Sequence, residues 1–266
     1  MMAKIVGILN VTPDSFSDGG QFIDPEKALA HAEQLIKDGA DIIDIGAEST
    51  RPGARPLDAE EEWERLEKVI AGLDSIKTPY TRFSIDTRHA KTAEKALAAG
   101  VDMINDVSGF ENVDMINAVL KSKCQLVVMH SLGVPADPKE VMDESLDVVT
   151  ELLSWGGQKL QSLVDAGIKP QRLIFDPGIG FGKNTLQSLA IIHRIGEFQE
   201  LGVPLYVGHS RKSCLTAISE NSALTRDEAT IAISQHLAQQ GVQFLRVHDV
   251  AAHRDLFIEM RKAKRA

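Results

Sequence analysis

Short apolar runs alternate along the chain with longer segments in which apolar and charged residues recur at helical spacing. The runs predict eight strands, at residues 5–9, 42–45, 82–85, 103–104, 126–129, 173–175, 205–207 and 244–247. The segments between them predict helices, for example at residues 25–38, 58–71, 90–99, 152–166 and 226–240. Several of these helices are followed by a glycine, as at Gly39 and Gly100, which suits a left-handed helix C-terminus.

Strands that alternate with helices favour right-handed βαβ units and a parallel sheet. Eight such units predict an α/β fold, a (β/α)8 TIM barrel, as a single domain over residues 1–266. A doubly wound open sheet is the alternative. It should carry G-x-G-x-x-G after the first strand, and the residues after Leu9 do not match that motif.

Composition supports an ordinary globular chain. The 266 residues are close to the roughly 250 that such a barrel uses, and 43% are hydrophobic. The net charge of −9 argues against nucleic acid as a partner. No apolar run approaches the ~18 residues of a membrane span, and no signal peptide opens the chain, so we expect a cytoplasmic protein. Cys124 and Cys214 lack metal-ligand spacing and are interpreted as reduced thiols.

Polar or ionisable residues follow nearly every predicted strand. They include Asn10, Asp86, Asn105, His130, Asp176, His209 and His248, with Arg246 inside the last strand. Helix capping would explain one or two of them, but not so many. In a barrel these strand ends converge on one face, where unpaired polar groups would be costly without a ligand. We therefore predict the active site at the C-terminal ends of the strands.

Two kinds of ligand are indicated. Asp86, Asn105 and Asp176 could hydrogen-bond a flat, nitrogen-rich heterocycle, although each aspartate alone is about as well explained as a cap. The segment 210–213 (SRKS) follows strand seven and is expected to open a helix, near Arg246 and His248. That placement predicts an anion site, because this barrel commonly binds phosphate after strands seven and eight; the alternative is a solvated surface.

Three loops add to this picture. Residues 176–183 (DPGIGFGK) do not form a Walker A loop; their glycines would let the loop approach a flat ligand, with Phe181 as a wall. Residues 10–20 and 46–53 are rich in Gly, Ser and Pro and are interpreted as lids or as ordinary mobile loops. Asn10 offers an oxygen ligand, so Mg2+ is expected there beside a pyrophosphate. No role is assigned to His130 or His209.

Seven segments carry a resemblance to the dihydropteroate synthase family. They are residues 7–20, 48–53, 84–87, 104–106, 176–183, 210–213 and 246–250, and they span most of the chain in the family's order. The resemblance implies a transferase that joins p-aminobenzoate to 6-hydroxymethyl-7,8-dihydropterin pyrophosphate and releases pyrophosphate. It also implies a Mg2+ cofactor, a homodimer and sulfonamides as inhibitors.

The same resemblance assigns residues by motif. It places the pterin at Asp86, Asn105, Asp176 and Lys212, and the pyrophosphate at Asn10, Arg246 and His248, with Mg2+ at Asn10. It places p-aminobenzoate at Thr50, Arg51, Pro52, Phe181, Ser210 and Lys212. Asp86, Asp176, Lys212 and Arg246 are the expected catalytic residues.

Two other functions fit parts of the pattern. A pterin-binding methyltransferase barrel would share the Asp/Asn/Asp set, but should lack the segments 50–53 (TRPG) and 210–213, which this chain has. A non-catalytic paralogue could keep the binding residues; Arg51, Lys212, Arg246 and His248 argue against it.

Overall fold

The computed structural model describes residues 2–12, 24–50, 53–217 and 224–263. This part of the chain contains eight strands: β1 (Lys4–Asn10), β2 (Ile42–Gly46), β3 (Arg82–Asp86), β4 (Met103–Asp106), β5 (Gln125–Met129), β6 (Leu173–Asp176), β7 (Tyr206–Val207) and β8 (Phe244–Val247). It also contains eight α-helices, one after each strand: α1 (Pro25–Lys37), α2 (Ala59–Gly72), α3 (Ala90–Ala98), α4 (Val113–Leu120), α5 (Val148–Asp165), α6 (Thr185–His193), α7 (Arg226–Gln239) and α8 (Val250–Ala263).

The strands form one parallel sheet that closes on itself. Their spatial order, β6-β5-β4-β3-β2-β1-β8-β7, is the sequence order read around a ring. A parallel bridge between Phe175 and Leu205 joins the β6 and β7 sides. The (β/α)8 barrel prediction is therefore confirmed, and an open doubly wound sheet, whose order would reverse at a switch point, is excluded.

The predicted strands agree with the observed ones to within two residues at each end. The largest difference among the predicted helices is at α5, which begins at Val148 rather than at residue 152. Asp147 explains the earlier start, because its side chain accepts the backbone N–H of Thr150 at 3.0 Å. Such a cap satisfies a donor that the first helical turn leaves without a partner.

The barrel separates two apolar regions. The larger one lies between the strands and the surrounding helices. The smaller one fills the inside of the barrel and is called the inner layer: Val6, Ile42, Met103, Val127, Ile174, Tyr206 and Phe244. These residues come from seven different strands, and all are at most 4% exposed. The barrel is thus packed rather than hollow, and a ligand has to sit above this layer.

Two further features bear on the expectations from sequence. Cys124 and Cys214 are unbridged and buried. Across the described ranges, none of the helices combines the length and the apolarity that a membrane crossing requires.

Candidate functional site

The candidate site lies one step above the inner layer, toward the C-terminal ends of the strands. Side chains of a strand alternate between its two faces, so the residue two positions after an inner-layer residue also points inward. Applied to Ile42, Met103, Ile174 and Phe244, this spacing gives Asp44, Asn105, Asp176 and Arg246. Asp86 follows the buried Ser84 on β3 by the same step. The inner layer and the candidate site are therefore successive layers of side chains inside one barrel.

Arg246 is the centre of a hydrogen-bonded network in this layer. Its Nε donates to Asp44 Oδ2 at 2.6 Å, and its Nη2 donates to Asp86 Oδ2 at 2.8 Å. Asn105 Nδ2 also donates to Asp44 Oδ2, at 3.1 Å. The network holds residues of β2, β3, β4 and β8 in fixed relative positions. Arg246 was predicted to bind pyrophosphate, and that assignment stays a prediction; its described partners are the two carboxylates.

Asp44 is the residue that sequence reasoning missed. It is fully buried, and Oδ1 of its carboxylate has no hydrogen-bond partner in the described part of the structure. The signal was a charged side chain inside the apolar run IIDI, which is the same signal that singled out Arg246 in FLRV. A lone charge inside a strand suggests a partner, but only the folded barrel identifies it.

Asp86 differs from Asp44 because it reaches the open end of the barrel, at the C-terminal ends of the strands. The Asp86 side chain is 21% exposed, whereas the Asp44 side chain is fully buried. Burial raises the pKa of Asp86 to about 7, against the lowering effect of Arg246 and with a further rise from Asp44. A ligand that donates hydrogen bonds or carries positive charge would therefore stabilise the ionised form of Asp86.

Asp176 and Lys212 form the opposite side of the site. Asp176 accepts the backbone N–H of Gly178 at 2.7 Å, and burial raises its pKa to about 6 despite the nearby charge of Lys212. Burial also lowers the pKa of Lys212 to about 8. The Lys212 ammonium donates to the backbone carbonyl of Ile179 and lies 4.4 Å from the ring centroid of Phe181. These contacts place Phe181 and Lys212 side by side, as the motif assignment requires.

The glycine-rich segment is fixed from behind by Lys183. This buried ammonium contacts His130 Nδ1 at 2.7 Å and donates to the carbonyl of Phe181 at 2.9 Å. Gly178 has φ +68°, and a Cβ there would lie 1.9 Å from the carbonyl oxygen of His130. The close approach that the structure shows is therefore to the end of β5. His130 is buried, with its pKa lowered to about 3 by burial and by Lys183, and it positions this loop.

The segment after β7 carries Ser210 and is held by side-chain contacts to the end of β8 and to helices α7 and α8. Ser210 Oγ lies 2.9 Å from His248 Nδ1, which brings together two residues predicted to bind different substrates. Behind them, His209 Nε2 lies 2.8 Å from Ser234 Oγ, which lies 2.7 Å from His253 Nε2. This chain of three side chains fixes the loop against α7 and α8. His209, left without a role by sequence reasoning, therefore supports Ser210.

The remaining predicted residues are at the rim. Asn10 ends β1, pairs in register with Gly46 and is partly exposed. Thr50 is also partly exposed, and its carbonyl accepts the N–H of Ala136 at 3.4 Å. Arg51, Pro52 and most of the predicted lid at residues 10–20 lie outside the described residues.

The chain is similar to known proteins over most of its length. The profile of the family described as pterin binding enzyme matches residues 6–248. The dihydropteroate synthase of Streptococcus pyogenes serotype M3 is 40% identical over 258 residues, which cover 96% of this chain and 93% of that protein. The folate synthesis bifunctional protein of Chlamydia caviae is 38% identical over 94% of this chain, and the match spans only 57% of that longer protein.

Solved structures of dihydropteroate synthases superpose on the fold of this chain. Dihydropteroate synthase of Xanthomonas albilineans with 4-aminobenzoic acid superposes with a TM-score of 0.90 at 36% identity, over 100% of this chain and 94% of that one. The Anaplasma phagocytophilum enzyme with bound 6-hydroxymethylpterin-monophosphate gives 0.88 at 39% identity, over 99% and 100%. The Yersinia pestis enzyme in a sulfonamide drug complex gives 0.90 at 33% identity, over 100% and 95%. The chain therefore belongs to the pterin-binding enzyme family and, within it, to the dihydropteroate synthases.

Proposed function

We propose that this chain condenses 6-hydroxymethyl-7,8-dihydropterin pyrophosphate with p-aminobenzoate to give 7,8-dihydropteroate and pyrophosphate. The observation that carries the proposal is the polar layer above the inner layer, in which three carboxylates, an amide and two cations converge. The bound ligands of the Xanthomonas and Anaplasma structures, 4-aminobenzoic acid and a pterin monophosphate, support both halves of the substrate assignment.

The pterin ring would lie on the apolar inner layer, against Asn105 and Asp176. A pterin offers neighbouring N–H donors and ring acceptors along its edges. Asp176 in its ionised form accepts such donors, and the Asn105 amide can both donate and accept. Asn105 is already oriented by its bond to Asp44, at 3.1 Å. A preoriented amide loses less entropy on binding, so the network beneath the ring contributes to affinity without touching the ligand.

Asp86 would stabilise positive charge on the pterin. We propose an SN1-like substitution, in which the C–O bond of the pterin CH2 group breaks and pyrophosphate leaves with the bonding electrons. The electron-rich ring then carries a cation that the Asp86 and Asp176 carboxylates stabilise. The aniline nitrogen of p-aminobenzoate attacks the CH2 carbon and afterwards loses one proton. The scheme needs no covalent enzyme nucleophile.

Pyrophosphate would be held by Asn10, Arg246 and His248, with Ser210 against His248. Mg2+ is expected at Asn10, which ends β1 and is partly exposed, so its amide oxygen is available as a ligand. Mg2+ accepts a hard amide oxygen and usually combines one or two protein ligands with waters and phosphate oxygens. When bound, the ion would neutralise charge on the departing group. Arg246 would orient the pyrophosphate only while Asp44 and Asp86 hold its guanidinium in place.

The p-aminobenzoate would lie between Phe181, Lys212 and the segment after β2. The Phe181 ring and the stem of Lys212 offer a flat apolar surface, and the ammonium attracts the carboxylate. Thr50, Arg51, Pro52 and Ser210 complete this assignment from the motif. Sulfonamides resemble p-aminobenzoate in shape and charge, so we propose that they compete for this place, as the Yersinia complex suggests.

Pyrophosphate release tests the proposed reaction directly. The purified protein is mixed with Mg2+ and the pterin pyrophosphate, with and without p-aminobenzoate. Release that depends on p-aminobenzoate and yields dihydropteroate supports the proposal, and a competing sulfonamide should then raise the apparent KM for p-aminobenzoate. Pterin binding without release would favour a non-catalytic paralogue, and methyl transfer from a folate to a corrinoid would favour a methyltransferase.

We also propose that the chain forms a homodimer in the cytoplasm. The family resemblance alone supports this. Light scattering of the purified protein tests the dimer, because a single species at the mass of one 29.0 kDa chain would contradict it.

A further inference from the structure

A second group of ligand-type side chains lies among the loop after β2, helix α2 and the start of α3. Glu48 follows β2, Glu62 lies in the first turn of α2, and His89 is the residue before α3. One carboxylate oxygen from each glutamate and one ring nitrogen of His89 all lie within 4.8 Å of one another. His89 Nε2 and Glu48 Oε2 are 3.7 Å apart.

Two buried atoms in this cluster have no hydrogen-bond partner. Glu62 is fully buried; its Oε2 accepts the hydroxyl of Thr87 at 2.6 Å, but its Oε1 has no partner among the described residues. His89 Nε2 also makes no hydrogen bond of normal length, although Glu48 Oε2 lies 3.7 Å from it. Buried polar atoms in folded proteins are nearly always paired, so the unpaired Oε1 of the fully buried Glu62 in this cluster indicates a missing partner.

Glu48 is held in place for such a role. Arg88 donates to its two oxygens, from Nε at 2.8 Å and from Nη2 at 2.9 Å, and the backbone N–H of Leu57 donates to Oε1 at 2.9 Å. Oε2 therefore keeps a lone pair on the side of His89. Carboxylates that bind metal ions are commonly held in this way by hydrogen bonds from outer-shell groups, here Arg88 and the backbone of Leu57.

We propose that Glu48, Glu62 and His89 bind a divalent transition metal ion of the Zn2+ type. One imidazole nitrogen and two carboxylate oxygens suit Zn2+, whereas Mg2+ prefers oxygen ligands alone. Three protein ligands leave one tetrahedral position for water. With bonds of about 2.0–2.1 Å, tetrahedral ligand atoms lie roughly 3.4 Å apart, so the cluster has to contract by about 1 Å.

Charge is compatible with the ion. Glu48 is paired with Arg88, and burial raises the pKa of Glu62, so the ion would take the place of the proton that Glu62 otherwise holds. Binding requires a neutral imidazole and an ionised Glu62, so it should release protons. The ion would join the loop after β2 to α2 and α3, and Glu48 stands only two residues before Thr50. This site lies outside the polar layer of the proposed synthase reaction and does not depend on it.

Metal titration of the purified, metal-free protein tests the site. We expect one Zn2+ per chain by calorimetry, with proton release, and a visible absorption band of tetrahedral type when Co2+ replaces Zn2+. Glu62→Gln and His89→Gln should each weaken Zn2+ binding at least roughly tenfold. The double variant His193→Gln, His236→Gln is the matched control. It makes the same substitution at two stacked histidines outside the cluster, whose ring centroids are 6.4 Å apart, and should leave Zn2+ binding unchanged.

The results of this titration distinguish metal binding from a proton that His89 and Glu62 share. If His89 and Glu62 only share a proton, the wild type binds no stoichiometric Zn2+ and the proposal is overturned. It is equally overturned if Zn2+ binds but both cluster variants bind it as the wild type does. Circular dichroism of each variant establishes folding; should Glu62→Gln fail to fold, His89→Gln, at a residue that keeps 16% exposure of its side chain, decides the question.

Discussion

Arg246 on β8 reaches past β1 and donates to Asp44 on β2, with 2.6 Å between Nε and Oδ2, although the two residues are 202 positions apart in the chain. Both side chains point into the barrel, directly above the inner layer. The Asp44 carboxylate is fully buried, so its charge depends on this guanidinium and on the amide of Asn105. The pair fixes the direction in which Arg246 offers its remaining donors to the mouth of the barrel.

Replacing the buried carboxylate should destabilise the protein. Asp44→Asn keeps the shape but leaves the Arg246 guanidinium with Asp86 as its one charged partner. We expect the free energy of unfolding to fall by about 2 kcal/mol, since the buried guanidinium loses one of its two charge-assisted hydrogen bonds. Urea unfolding of both proteins measures the difference.

An exposed ion pair of the same kind is the control. Arg211 donates two hydrogen bonds to Asp227, at 2.8 and 3.0 Å, but both side chains are about half exposed. Asp227→Asn should therefore cost less than about 1 kcal/mol. Equal losses for Asp44→Asn and Asp227→Asn would show that burial of the Asp44 pair is not what matters.

Removing the Asp86 charge should slow the reaction. If the carboxylate stabilises the pterin cation, Asp86→Asn should lower kcat at least roughly 10²-fold, with the protein still folded. Steady-state pyrophosphate release measures kcat. A near-wild-type kcat would remove Asp86 from the mechanism.

The neighbouring Asp106 offers a contrast. It is buried, and its two oxygens accept the backbone N–H groups of Ser108 and Phe110, at 2.8 and 2.9 Å. Those bonds hold a turn, so Asp106→Asn should lower stability by roughly 1–3 kcal/mol while kcat of the folded enzyme changes little.

The value of kcat/KM should fall on both the acidic and the basic side of a pH optimum. The pKa values of Asp86 and Asp176 are raised by burial to about 7 and about 6, and both must be ionised to act as proposed. Burial lowers the pKa of Lys212 to about 8, and it must be charged. A profile of kcat/KM against pH should therefore fall below the first two values and above the third.

Lys212→Arg separates the basic limb from other causes. A guanidinium does not titrate in this range, so whatever activity the variant keeps should no longer decline near pH 8. A basic limb that stays at pH 8 in Lys212→Arg would assign it to another group.

Asp176 should also make the unliganded protein less stable at neutral pH. Its folded pKa of about 6 lies above the value of about 3.9 in an unfolded chain, so the folded state binds more protons between these two values. Stability from this group is therefore full at low pH and declines as pH rises from about 4 to about 6.

Asp176→Asn should relieve that decline. The variant's advantage in free energy of unfolding should grow by about 2–3 kcal/mol between pH 4 and pH 6 and then stay level. Urea unfolding at several pH values measures it, and pterin binding should be lost in parallel. An advantage that does not change with pH would mean that Asp176 is already ionised at pH 4.

Local patterns along the sequence were sufficient for the barrel and for the face on which the proposed site lies. Alternating apolar runs and helical segments predicted eight βα units because strand and helix periodicities are local properties of the chain. The polar residue after each apolar run predicted that the site lies at the C-terminal ends of the strands, since parallel strands all end on the same face of the barrel. Asp86, Asn105 and Asp176 were found this way, and the structure brings them together there.

Tertiary structure decided which side chains meet. Arg246 stood out as a charge in an apolar strand, but its partner Asp44 was missed, because their contact depends on closure of the ring through β1. Glu48, Glu62 and His89 looked like unrelated polar positions, because their proximity comes from packing α2 and α3 on the loop after β2. The sequence by itself determined the elements and the face of the site, since both follow from neighbours along the chain. The charge pairs and the proposed metal site arise only when residues distant in sequence are brought within a few ångströms.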